Sequence, residues 1–422
     1  MQTELHAAGT AGLEVFAELE SAVRSYIRAF PALFARARGA CIWDRDGRRY
    51  IDFFAGAGAL NYGHNEPHLK EHLLRYLAED GIAHGLDMGT AAKAEFLEVF
   101  AERILRPRGM RHRVMFPGPT GTNAVEAALK LARKVTGRPG VIAFTHGFHG
   151  MTLGALSASS NRAKRAGAGL PLGAATSMPY DGFLGPGVDT VDVLRRYLDD
   201  PGSGLDLPAA VLVETVQGEG GLHAAGERWL KGLQDLCRSR GILLVLDDIQ
   251  AGCGRTGPFF SFERADLDPD LVCLSKSISG YGLPMALLLI RPELDAWHPG
   301  EHNGTFRGNN LAFVTGAAAL RAFWADGALS SAVARRSAYV RRRLEALAAG
   351  RGLEVRGRGL ILGLAGQEPG WAEGVSHRAF ARGLIVETSG ADASVIKVLP
   401  PLVIDDEILA EGCDLLEAAL AA

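Results

Sequence analysis

Between residues 113 and 290 the chain repeats one pattern: short, wholly apolar runs separated by longer amphipathic stretches. The runs cover residues 114–116, 141–144, 210–213, 242–246, 271–274 and 285–290. A strand with one wet face alternates apolar and polar residues, and these do not. Strands this apolar are covered on both faces, which predicts an α/β fold with a mostly parallel sheet and helices packed on either side. In such a sheet ligands bind at the carboxyl ends of the strands.

Two strand ends stand out. The run 242–246 delivers Asp247, followed by Asp248, Ile249 and Gln250. An isolated aspartate there would simply cap a turn. The run 271–274 leads into Ser275 and Lys276 and then a string of small residues. A lysine at a sheet edge is usually a solvated gatekeeper. Jointly the two are more specific, because pyridoxal phosphate needs a lysine for its aldehyde and a carboxylate against its pyridinium nitrogen. It also needs a phosphate cup. Gly118-Pro-Thr-Gly121-Thr122-Asn123 opens into a strong helix, aiming backbone N–H groups and the helix dipole at an anion. Alone, that stretch would read as an ordinary capped helix.

Three other matches carry less. Gly252-Cys-Gly-Arg-Thr-Gly257 spells a dinucleotide fingerprint, but Pro258-Phe-Phe follows it instead of the helix that would hold a pyrophosphate. His68-Leu-Lys-Glu-His72 spells an inverted zinc-protease motif. With Leu69, Leu73 and Leu77 as its apolar stripe it reads as a solvated helix face, so no metal site is expected. His146 and His149 fit a loop or a cofactor neighbour better than a ligand pair.

Composition limits the rest. Against 45 basic residues stand 48 acidic ones, a formal charge of -3 with no basic block, which excludes a dedicated nucleic-acid binder. The longest apolar stretch, 285–290, is far short of the roughly 18 residues of a membrane span. The opening Met-Gln-Thr-Glu-Leu-His is no signal peptide, so a cytoplasmic address is expected. Five cysteines without a C-x-x-C pair read as buried free thiols. An amphipathic opening over 13–27 and a hairpin around Asp46-Gly47 form an N-terminal segment, 1–55. Residues 56–312 form the expected large domain. A long helical stretch over 313–349, three apolar runs (360–362, 384–386, 395–398) and a last helix form a smaller α/β domain, 313–422.

With Gly147-Phe148-His149-Gly150, the run from Glu214 to Gly221, and His302-Asn-Gly-Thr305-Phe added to the segments above, the sequence resembles the class III, or ω-amino acid, aminotransferases of pyridoxal-phosphate fold type I. The resemblance runs from Trp43 to Pro401. Within that class the segments at 53–64, 84–88, 118–130, 275–284 and 300–310 are most similar to the diaminobutyrate aminotransferases of ectoine biosynthesis.

The resemblance implies roles. Lys276 would carry the cofactor and shuttle a proton, a step worth ~10²–10⁴-fold by itself. Asp247 would keep the ring nitrogen protonated. Phe148 would stack on the ring, Gln250 would lie near its hydroxyl, and Gly121 and Thr122 would hold the phosphate. Thr305 would reach the phosphate of a neighbouring subunit, making a homodimer or higher oligomer part of the active site. The implied partners are a small amino donor and a keto or aldehyde acceptor. The implied reaction converts L-2,4-diaminobutyrate and 2-oxoglutarate into L-aspartate 4-semialdehyde and L-glutamate. An ω-aminotransferase of siderophore or antibiotic assembly would keep the same motifs, and a fold type I mutase or decarboxylase the same lysine and aspartate.

Departures bear on substrate. Relatives acting on ornithine or 4-aminobutyrate have arginines where this chain has Met151 and Lys397. Lysine cannot reproduce a bidentate carboxylate fork. Arg307 stands where much of the class has glycine, so Arg307 or Lys397 is the expected carboxylate ligand, with Glu219 paired to the cation before Pro400-Pro401.

Overall fold

The computed structural model describes residues 12–421. The opening hexapeptide lies outside the described residues. The amphipathic stretch expected over 13–27 forms two short helices, Glu14–Leu19 and Tyr26–Ala29, with no buried residue in either.

Three strands follow, β1 (Phe34–Arg38), β2 (Cys41–Asp44) and β3 (Arg49–Asp52), with β2 and β3 forming the expected antiparallel hairpin. The central sheet contains β4 (Arg113–Met115), β5 (Val141–Phe144), β6 (Ala175–Met178), β7 (Ala210–Val213), β8 (Leu243–Asp247), β9 (Leu271–Leu274) and β10 (Leu287–Ile290). Its order is β4-β10-β9-β8-β7-β5-β6, and only β10 runs against its neighbours.

Alternate residues of these strands serve two cores. Val141, Ala210, Leu212, Val245, Leu271 and Cys273 pack against Ala124, Ala128 and Leu131 of the helix Gly121–Thr136. Ile142, Val211, Leu244, Leu246, Val272 and Leu274 face the other way, onto Trp229 and Leu233 of the helix Glu227–Arg240. Both faces are dry, which is why the strands carry no polar alternation.

Helices Asn310–Phe323 and Ala328–Ala348 replace the single stretch expected over 313–349, with a break at Asp326-Gly327. Strands β11 (Glu354–Arg358), β12 (Ile361–Ala365), β13 (Leu384–Ile385), β14 (Glu387–Ser389) and β15 (Val395–Val398) complete the chain before the helix Asp406–Ala421. Four of them form the sheet β11-β12-β15-β14, while β13 leaves it to pair in parallel with β3. Segments more than 300 residues apart, β3 and β13, are thus tied into one sheet. No helix among the described residues is long and apolar enough to cross a membrane.

Candidate active site

Strands β7 and β8 end side by side, each in an acid. Asp247 closes β8, and Glu214 directly follows β7. Asp247 is buried, and its Oδ2 meets His149 Nδ1 at 2.7 Å. Burial alone would lower the imidazole pKa, but the hydrogen bond and charge of Asp247 outweigh it and raise it above its ordinary value. His149 is thereby fixed behind Asp247, and the two buried side chains support one another. Glu214 accepts a hydrogen bond from the Phe148 amide at 3.1 Å. Its burial, against the attraction of His149 and with Asp247 adding repulsion, pushes its carboxyl up to about 8.

Lys276 begins a tight turn immediately after β9 and Ser275, with φ of 54°. A non-glycine residue in the left-handed region is strained, a cost concentrated at functional sites. Its Nζ donates to the Ala57 carbonyl at 2.8 Å. Burial lowers the Lys276 pKa, Glu219 opposes, and Lys397 adds to the fall, leaving it below the ordinary value. An amine so placed is a better nucleophile toward a carbonyl than a solvated lysine.

Gly121 and Thr122 open the helix Gly121–Thr136, where the first N–H groups have no partner within the helix. A Cβ on Gly121 would come within 2.9 Å of the Ile249 side chain, so glycine lets the backbone approach closely here. Lys276, Asp247, Gly121, Thr122, Phe148 and Gln250 share one cavity of about 170 Å³, also lined by His149, Glu214 and Glu219. The Gln250 amide donates to the Ala57 carbonyl at 2.9 Å and to Glu219 at 3.0 Å, while its buried Oε1 has no hydrogen-bond partner. A nucleophilic amine, a carboxylate backed by imidazole, a helix N-terminus and an unsatisfied amide oxygen fit a phosphorylated pyridine aldehyde.

Glu219 and Lys397 meet as expected, at 2.8 Å. Lys397 is fully buried and also reaches Glu387 at 2.7 Å, and Glu387 accepts from the Tyr26 hydroxyl at 2.8 Å. Burial would lower the Lys397 pKa, but Glu219 and Glu387 together raise it. Burial would raise the Glu219 pKa, yet Lys397 and then Lys276 pull it down to about 2.

Thr305 and Arg307 do not join this cavity. Thr305 is exposed, and Arg307 lies 3.7 Å from Asp87 and beside Trp297 and His302. Two further residues of the cavity, Glu214 and His149, have no role assigned from sequence. Glu214 had the same signal as Asp247, an acid ending an apolar strand. His149, expected in a loop or beside the cofactor, lines the cavity, but its pairing with Asp247, 98 positions away, left no sequence signal.

Two of the weaker motifs take ordinary places in the fold. Residues 252–257 turn without starting a helix, and Arg255 plugs inward onto the Leu360 carbonyl at 3.1 Å. His68 and His72 share the exposed side of the helix Pro67–Ala78. In that helix only Leu69 is buried; Leu77 is exposed and does not extend the apolar stripe.

The aminotransferase class-III family matches residues 23–420. The chain belongs to that family. It is 57% identical over 413 residues to a diaminobutyrate–2-oxoglutarate transaminase of Bordetella parapertussis, covering 97% of this chain and 95% of that one. It is 58% identical over 413 residues to the enzyme so named in Nocardia farcinica, covering 97% and 94%. Among solved structures it superposes, with a TM-score of 0.84 and 27% identity, on the ornithine aminotransferase of Toxoplasma gondii, described with partial occupancy of PLP at its active site. That match covers 100% of this chain and 97% of the other. The α/β architecture is that of the fold type I pyridoxal-phosphate aminotransferases.

Proposed function

We propose that this class III aminotransferase transfers the 4-amino group of L-2,4-diaminobutyrate to 2-oxoglutarate, giving L-aspartate 4-semialdehyde and L-glutamate, and runs toward diaminobutyrate in an ectoine-type pathway. One observation carries the chemistry: Lys276 and the His149-backed Asp247 face one cavity at the carboxyl ends of β9 and β8. The names of relatives 57–58% identical over nearly the whole chain support the substrate.

Pyridoxal phosphate, when bound, supplies an aldehyde that carries the amino group and a cationic ring that accepts electrons. Lys276 would hold that aldehyde and, once displaced, move the proton. Asp247 would keep the ring nitrogen protonated, with His149 stabilising its charge from behind. Gly121 and Thr122 would hold the phosphate, Phe148 would cover the ring face, and Gln250 would sit near its hydroxyl. Two half-reactions sharing one site give ping-pong kinetics.

Exposed Phe306 packs on His84, and Leu86 and Met88 of the same loop are also exposed. Adjoining exposed apolar side chains favour an interface. A homodimer would cover them and bring Thr305 of one copy to the phosphate of the other. Residues 1–55 and 313–422 would form one small domain around 56–312, supported by the pairing of β3 with β13. Five buried free thiols fit a reducing cytoplasm.

The test is a panel of amino donors with 2-oxoglutarate, products identified by mass spectrometry. Diaminobutyrate is expected to react well, with ornithine and 4-aminobutyrate far behind. Carbon dioxide or an isomer formed without a keto acid would point instead to a decarboxylase or mutase.

A further inference from the structure

An ω-amino acid brings a carboxylate into the site along with its reacting amine, and a carboxylate leaving water needs a cation. The cations already described are spoken for. Lys276 is the reacting amine. Lys397 is enclosed between Glu219 and Glu387 with no exposed surface. Arg307 lies near Asp87 in a different pocket of its own chain.

One further cation stands beside the cavity, against the ring of a residue in its wall. The Nζ of Lys164 lies 4.2 Å from the centre of the Phe148 ring, and Phe148 lines the cavity that holds Lys276 and Asp247. A smaller recess of about 40 Å³ adjoins it, sharing Phe148 and Glu219 and adding Lys164, Asn161 and His146. Among the described residues Lys164 makes no ion pair, and its ammonium rests only on the aromatic face. A cation–π contact at a partly wet site is a weak partner that a carboxylate can replace.

The backbone beneath Lys164 is fixed. Asn161 caps its short helix, Arg162–Ala166, by accepting from the Lys164 amide at 3.0 Å. Arg165 ties the same helix to the carbonyls of Leu156, Ser157 and Ser159 at 3.1, 2.8 and 2.8 Å. The lysine is therefore presented from a held position.

We propose that Lys164 binds the carboxylate at the far end of the ω-amino acid and so sets donor specificity in place of the arginine absent at Met151. The inference rests on the transaminase reading above.

The test compares the holoenzyme with Lys164→Ala and Lys164→Arg, using 2,4-diaminobutyrate and 1,3-diaminopropane, the same molecule without its carboxylate. The readout is the ratio of kcat/KM for the two donors, with cofactor absorbance confirming equal loading. Loss of one charge-assisted contact is expected to lower that ratio about 10- to 100-fold in Lys164→Ala, and Lys164→Arg should recover most of it. A ratio within about twofold of wild type in Lys164→Ala overturns the proposal. If wild type instead prefers another ω-amino acid, the diaminobutyrate reading falls by itself. The same ratio is then taken with that amino acid and its decarboxylated amine, and the same criterion decides Lys164.

Discussion

Glu214 shows how the site uses a residue that never has to touch substrate. Its carboxyl, pushed up to about 8 by burial, keeps a proton in the folded protein that an ordinary glutamate at 4.5 gives up on unfolding. A raised carboxyl pKa favours folding at low pH, and that advantage drains away as pH climbs from about 4.5 to about 8. Glu214→Gln, which can still accept from the Phe148 amide, removes this titration. Its stability relative to wild type should therefore rise across that window, by at most about 1.4 kcal/mol per pH unit. Urea unfolding of the two holoenzymes at pH 5 and pH 8 measures it; an identical gap at both would show that Glu214 is ionised throughout. At this scale the sequence was legible wherever a strand end announced a side chain, as with Asp247 and Lys276. His149 was legible only as a neighbour of the cofactor, because its pairing with Asp247 is a contact that folding creates.

Among the elements, the segment carrying Thr305 is the least explained by its own chain. Thr305 is exposed, and its neighbour Phe306 is 67% exposed, too much apolar surface for a lone loop to leave wet without reason. If a second copy places Thr305 on the cofactor phosphate, Thr305→Ala should weaken cofactor retention about 10-fold, the worth of one hydrogen bond to a charged group. Dialysis against phosphate followed by absorbance of the retained cofactor reads this, and sedimentation gives the assembly. Unchanged retention in a dimer would mean that Thr305 does not reach the phosphate. Most elements could be read in advance: all six apolar runs became strands of one sheet. β6 was missed because Thr176 and Ser177 lie exposed on the sheet edge, where no apolar run is required. The break at Asp326-Gly327 was missed because amphipathic residues continue on both sides of it.

On the scale of the whole molecule, Lys397 joins parts of the chain that are distant in sequence. It comes from β15, Glu387 from β14, Glu219 from the loop after β7, and Tyr26 closes the far side through Glu387. Lys397→Met would leave two carboxylates packed together without their cation, and removing one partner of a buried pair costs about 3–5 kcal/mol. Denaturant unfolding of the holoenzyme should show a loss of that order, and adding Glu387→Gln should recover part of it. No loss would mean that water, not Lys397, satisfies the acids. Apolar periodicity and residue type are local properties, so the layered sheet and the strand ends where a lysine and an aspartate emerge could be read along the chain. Which cation remains open to a substrate was decided only by tertiary structure. Lys397, Arg307 and Lys164 each carry a positive charge in the sequence, but whether that charge is already neutralised depends on carboxylates brought beside it by folding.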